Sequence, residues 1–261
     1  MNTDLTGKRA LVCGSTQGIG RAVAYELALL GTSVTLVARD EEKLKNVLKE
    51  LPSDDTESHG YIVADFNYPD KLKSAIEDFL KDHTVEILLN NTGGPPGGQA
   101  IDAGISEYVQ AFSNHLVCNQ ILVQAVVPGM KNAGYGRIIN VLSTSVKAPL
   151  RGLGVSNTIR AAVANWAKTL SLELGAFGIT VNNVLPGYTM TGRLESIINS
   201  RAEKEGKAID LIKEEMVKGI PAGRFADAKE IAAAITFLAT PAASFINGIN
   251  LPVDGGSTGS L

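Results

Sequence analysis

Gly14-Ser15-Thr16-Gln17-Gly18-Ile19-Gly20 lies between a short apolar run, residues 9–13, and a helical pattern opening Arg21-Ala22-Val23-Ala24. One glycine there permits a tight turn, one lets the backbone approach a pyrophosphate, and one lets helix lie close on strand. The exposed N–H groups and the helix dipole favour the anion. A strand before the loop and a helix after it are the context a dinucleotide site requires. The second apolar run ends Val37-Ala38-Arg39-Asp40. An arginine at that place neutralises a 2′-phosphate, and an acid accepts hydrogen bonds from ribose hydroxyls. Arg39 therefore favours NADP, and Asp40 keeps NAD open.

Such a loop needs elements to hold it. Aliphatic and β-branched runs at 9–13, 33–38, 60–64, 85–90, 136–142, 179–185 and 248–253 read as buried strands. Helical periods at 18–30, 41–51, 70–81, 106–131, 156–175 and 227–239 fall between them. The alternation predicts an α/β fold in one domain spanning 1–261: a three-layer, Rossmann-type, doubly wound and mainly parallel seven-stranded sheet. Ligands then sit at the carboxyl ends of the strands. Residues 192–221 break the rhythm with charged helical sequence and no strand, and read as a lid inserted between the sixth and seventh strands.

The chain has 261 residues, 44% of them hydrophobic and 20% charged, which suits a folded globular protein. Its net charge of −3 gives no global attraction to nucleic acid or anionic lipid, so phosphate binding must be local. Cys13 and Cys118 cannot build a disulfide framework or a four-ligand zinc site, and a reducing cytoplasm is the simplest address. No run is long enough for a membrane span, and no metal site is expected.

The motifs resemble those of the short-chain dehydrogenase/reductase family over nearly the whole chain. The spacing of Gly14, Gly18 and Gly20 is similar to that family's, Asp65-Phe66 to its adenine-side acid, and Asn90-Asn91-Thr92-Gly93 to its Asn-Asn-Ala-Gly turn. Pro186-Gly187-Tyr188-Thr189-Met190-Thr191 resembles the loop that contacts the nicotinamide amide, and Val253-Asp254-Gly255-Gly256 the C-terminal ending. The branch most resembled is the β-ketoacyl-carrier-protein reductases. The resemblance implies NADP or NAD bound by these segments, a small carbonyl or acyl-thioester substrate, and a homodimer or homotetramer. The apolar breadth of Val155, Ile159, Val163, Trp166 and Leu170 points the same way.

Of the four side chains the resemblance assigns to catalysis, the serine is present as Ser143. The tyrosine and lysine positions hold Ser156 and Arg160, and the asparagine position holds His115, with Asn114 beside it. A phenol near pKa ~10 can be lowered toward neutrality by an ammonium, whereas an alkyl hydroxyl is a far weaker acid and a guanidinium does not relay protons. Arg160 can still bond the nicotinamide ribose. His115, at ~6.5 unperturbed, is the best replacement donor by pKa; Tyr188 and a bound water are others. Lys147 reads as a solvated loop residue or a substrate-mouth cation, and His59 and His83 read as surface. Two functions fit: an NADP-dependent carbonyl reductase with a non-standard proton donor, or a catalytically impaired relative that senses dinucleotide or partners.

Overall fold

The computed structural model describes residues 1–54 and 57–260. Seven strands form one parallel sheet: β1 (Arg9–Cys13), β2 (Ser33–Ala38), β3 (Gly60–Val63), β4 (Ile87–Asn90), β5 (Gly136–Val141), β6 (Ile179–Pro186) and β7 (Asn250–Val253). Their spatial order is β3-β2-β1-β4-β5-β6-β7. The chain winds outward from β1 to β3, then returns to β4 and winds the other way. The order therefore reverses between β1 and β4, where crossovers leave to opposite sides and a crevice opens. The seven expected strands all form, with ends differing by a residue or two.

Helices cover both faces. On one side α1 (Gly18–Leu29), α2 (Glu41–Glu50) and the last long helix bury Val23, Leu27, Leu44, Ile231 and Ile235 against Val12, Leu36 and Ile139. On the other, α3 (Pro69–Phe79) and the central helices bury Leu72, Ile76, Leu122, Val126 and Ala167 against Leu11, Leu88 and Val181. Alternate residues of one strand thus serve opposite cores, which is why these strands are apolar at nearly every position. Pro69 opens α3 at a place where its missing N–H costs nothing.

The segment read as one helix over 106–131 is α4 (Ile105–Phe112), a π turn at Ser113–Val117, and α5 (Cys118–Ala133). The following helix, α6 (Gly154–Leu174), starts two residues before expectation, so Ser156 lies within its first turn. Val155, Ile159 and Val163 are 4%, 4% and 0% exposed, and Trp166 donates to Gln120 Oε1 at 2.8 Å. Val155, Ile159 and Val163 are thus covered within this chain, whereas Leu172 on the same helix is exposed. His59 is also not a surface group. Its imidazole accepts from the Val34 N–H at 3.0 Å and contacts the Pro52 carbonyl at 2.8 Å. His83 stacks on Phe79.

Residues 192–221 form α7 (Gly192–Glu205) and α8 (Ile209–Val217), which share a small core of Leu194, Ile198, Ala202, Ile212 and Met216. The excursion leaves and returns at one point: Ala226 donates to the Tyr188 carbonyl at 2.9 Å and accepts from Met190 at 2.8 Å. Asp227 and Glu230 then make the capping box that starts α9 (Ala228–Ala239). No helix among the described residues is long and apolar enough to cross a membrane.

Four strands are tied by buried amides. Asn90 donates to Asn140, Asn140 to Asn183, and Asn183 to Asn250, each at 2.8 Å, at mutually paired positions of β4, β5, β6 and β7. Asn140 and Asn183 both give and take in this row, while Asn90 gives only, its buried Oδ1 left without a partner among the described residues. The row ends at Asn90, one residue before the turn that meets the glycine loop.

Candidate active site

The glycine loop sits at the reversal of strand order. Gly14 adopts φ +61°, and a Cβ there would lie 2.7 Å from the Asn91 carbonyl oxygen; one on Gly20 would overlap the Gly14 carbonyl. The spacing is thus enforced by the approach of β1, α1 and the turn after β4. Gln17 precedes α1 in extended backbone, and its side chain makes no cap. The first N–H groups of α1 therefore have no side-chain acceptor and face the crevice, as an incoming diphosphate requires.

Several neighbours support this loop from behind. Asn91 Nδ2 donates to the Cys13 and Gly14 carbonyls at 3.2 and 3.3 Å. Ser15 is 0% exposed and its hydroxyl donates to the Val37 carbonyl at 3.4 Å. Phe66 is buried in the core under α5, and its carbonyl accepts the Cys118 thiol at 3.4 Å. These three residues hold the site's shape from behind. Thr16, Ile19, Thr92 and Gly93 remain at or near the crevice surface. Asp65 accepts from the Asn67 N–H at 2.9 Å at the β3 end.

At the end of β2, Asp40 is the N-cap of α2. It accepts from the Lys43 N–H at 3.1 Å and pairs with Lys43 Nζ at 3.3 Å, and that backbone bond, ahead of the lysine charge, holds its carboxyl below the usual range. Arg39 beside it is exposed and has no carboxylate partner among the described residues. The acid is occupied and the cation is available, the balance that suits a 2′-phosphate.

Ser143 follows β5 in extended backbone and its hydroxyl accepts from the Ser145 N–H at 3.1 Å, opening a single 3₁₀ turn. Ser156 is 8% exposed. Arg160, one helical turn further, donates from Nε to Ser156 Oγ at 3.3 Å and from Nη1 to the Val141 carbonyl at 3.0 Å. The guanidinium thus fastens α6 to β5 two residues before Ser143. Burial, and then the neighbouring Arg193 charge, lower Arg160 to about 10, still charged at neutral pH.

His115 stands in the π turn, 5% exposed. Burial first, and the Arg160 charge second, push its imidazolium down to about 3, against a weaker opposing pull from the Gly93 backbone. At neutral pH it is uncharged. Tyr188, 40% exposed, lies edge-on to Phe225, with ring centres 6.4 Å apart.

The loop after β6 is tightly built. The Gly187 N–H donates to the Val253 carbonyl at 3.0 Å, and a Cβ on Gly187 would lie 2.7 Å from Asp254 Cα, so Pro186-Gly187 packs on β7 and its tail. Thr189 and Thr191 donate in turn to the Gly187 and Thr189 carbonyls at 3.1 and 3.3 Å. The Thr191 methyl comes within 3.1 Å of where a Cβ on Gly18 would sit, so this loop closes on the glycine loop. Sequence reasoning missed Arg193, which donates to the Pro95 carbonyl at 2.9 Å and joins the start of α7 to the turn after β4. Its only sequence signal is a place two residues past Thr191.

The family model described as Enoyl-(Acyl carrier protein) reductase matches residues 14–258. The chain is 32% identical to the 3-oxoacyl-[acyl-carrier-protein] reductase FabG of Haemophilus influenzae, over 97% of this chain and 98% of that protein. It is 27% identical to the NADPH-dependent reductase BacG of Bacillus subtilis, over 98% and 100%. Among solved structures, L-sorbose reductase of Gluconobacter frateurii, complexed with NADPH and L-sorbose, superposes with a TM-score of 0.93 at 26% identity, covering 100% of both chains.

Proposed function

Because the chain belongs to the short-chain dehydrogenase/reductase family, we propose that it is an NADP-dependent reductase of a small-molecule carbonyl. Relatives named for NADPH and for oxo substrates support this reading, as do the uncapped α1 terminus and the available Arg39. Gly14, Gly18 and Gly20 let the diphosphate approach, Arg39 takes the 2′-phosphate, and the Thr189–Thr191 loop closes over the nicotinamide end. When bound, the reduced dinucleotide supplies a hydride to the carbonyl carbon and leaves in its oxidised form.

This chain's own part is the oxygen. Ser143 and Ser156 place two hydroxyls near the end of β5, and the Arg160 guanidinium fixes a positive charge behind Ser156. As the carbonyl oxygen gains negative charge, the hydroxyls donate to it and the guanidinium stabilises it without reorganising. The proton comes from water held by Ser156, since neither serine nor Arg160 has a phenol's acidity and His115 is neutral. A general acid contributes about 10²–10⁴-fold, so its loss slows the reaction without removing the orientation and charge effects. The observation carrying this reading is the Arg160 bridge between Ser156 and Val141, which replaces a proton relay by a fixed charge. Residues 192–221 serve as the lid.

Steady-state NADPH oxidation against a panel of ketones and oxoacyl thioesters tests it. Turnover is expected, with Ser143→Ala lowering kcat by at least about 10²-fold. Tight NADPH binding without turnover above that variant would favour an impaired, dinucleotide-sensing protein, the reading that the two substitutions at 156 and 160 motivate.

A further inference from the structure

We propose that Arg160 and Arg193 form a two-guanidinium receptor for a carboxylate on the substrate, so that the carbonyl compound reduced is an oxo acid. This rests on the reductase reading above and names its substrate class. A point built as Cβ on Gly94 lies 3.3 Å from Arg160 Nη2 and 4.0 Å from Arg193 Nη2, so both cations face the same small space over the turn after β4. Neither has a carboxylate within ion-pair distance among the described residues; their protein partners are the Val141 and Pro95 carbonyls and the Ser156 hydroxyl. By contrast Arg21, Arg201 and Arg224 are each paired with a glutamate.

The arrangement is locally unfavourable without an anion. Arg193 is the second residue of α7, where the helix dipole favours negative charge, and it stands beside a part-buried cation. Burial first, and the Arg193 charge second, depress Arg160. Two guanidiniums offer paired N–H donors that match a carboxylate's two oxygens, a geometry a single lysine cannot give. Since Arg160 also touches Ser156, an anion held there keeps the rest of the substrate close to the two serines. Arg193 lies at the lid base, so the same anion draws α7 onto the turn after β4.

The dinucleotide's own diphosphate is the rival source of the same oxyanion chemistry, and the test separates them. Rates of NADPH oxidation are measured with 2-, 3- and 4-oxopentanoate and with their methyl esters, for wild type, Arg193→Ala and Arg193→Gln, alongside NADPH affinity by fluorescence titration. At least one acid is expected to exceed its ester in kcat/KM by about 10- to 100-fold, and both variants to erase that preference while NADPH affinity changes less than about 3-fold. Equal rates for acids and esters in the wild type, or a fall in NADPH affinity that accounts for the whole effect of the variants, would overturn the proposal. If wild type turns over no carbonyl at all, the reductase reading fails on its own. Calorimetry of the three oxopentanoates with the NADP⁺ complex then decides the receptor: saturable binding lost in both variants supports it, and no binding removes it.

Discussion

At pH 7 His115 is a neutral imidazole, because its charged form would have to sit out of water beside the Arg160 guanidinium. The sign of the consequence follows from linkage. Between about 6.5, where an unfolded histidine titrates, and about 3, where His115 does, the unfolded chain binds the proton and the folded chain does not. Stability contributed by keeping His115 neutral is complete above the upper value and is lost as pH falls toward the lower one. Urea unfolding from pH 7 to 4 is therefore expected to show a shallower acid decline for His115→Gln than for wild type; identical slopes would contradict the burial argument. At the other end of the crevice, Asp40 is committed to the Lys43 N–H while Arg39 is not committed to an acid. Arg39→Ala is expected to weaken NADPH binding by about 10- to 100-fold and to leave NADH binding nearly unchanged, as titrations with both nucleotides would show.

At the scale of elements, the amide row across β4 to β7 couples sheet register to the turn that carries Asn91. Asn140 occupies its middle, 0% exposed, with one amide partner on each side. Asn140→Leu leaves the Asn90 donor and the Asn183 acceptor buried without partners. A loss of about 2–4 kcal/mol in urea-derived stability is expected, against under about 1 kcal/mol for a surface change such as Lys73→Ala. The π turn between α4 and α5 is a second device of this size. By inserting one wider turn in a long helix it directs His115 into the crevice, a frequent use of such turns.

Across the whole molecule, Arg160 ties α6 to β5 and Arg193 ties α7 to the turn after β4, beside the glycine loop. The Ser156→Tyr, Arg160→Lys double variant is therefore expected to raise kcat for a good substrate by about 10²-fold or more and to introduce a pH-dependent limb near the phenol's titration. The wild type, whose His115 and Arg160 titrate at about 3 and about 10, should show a flat kcat/KM from about pH 5 to 9. An inflection near 7 in the wild type would require an acid that this site does not contain.

The order of strands and helices, the glycine loop and the presence of Ser156 and Arg160 at counted positions were legible in the sequence. Each depends on local periodicity, on backbone conformations that few residues permit, or on residue identity at a counted spacing. What needed three dimensions was environment and partnership. Burial and a neighbouring cation, not residue type, set the charge of His115. Inward hydrogen bonds tied Ser15 and Asn91 to the carbonyls of neighbouring strands and of the glycine loop, and Arg193, 33 residues beyond Arg160 in the chain, came to face the same small space. Solvation and Coulomb interactions depend on distances through space, and those exist only once the chain has folded.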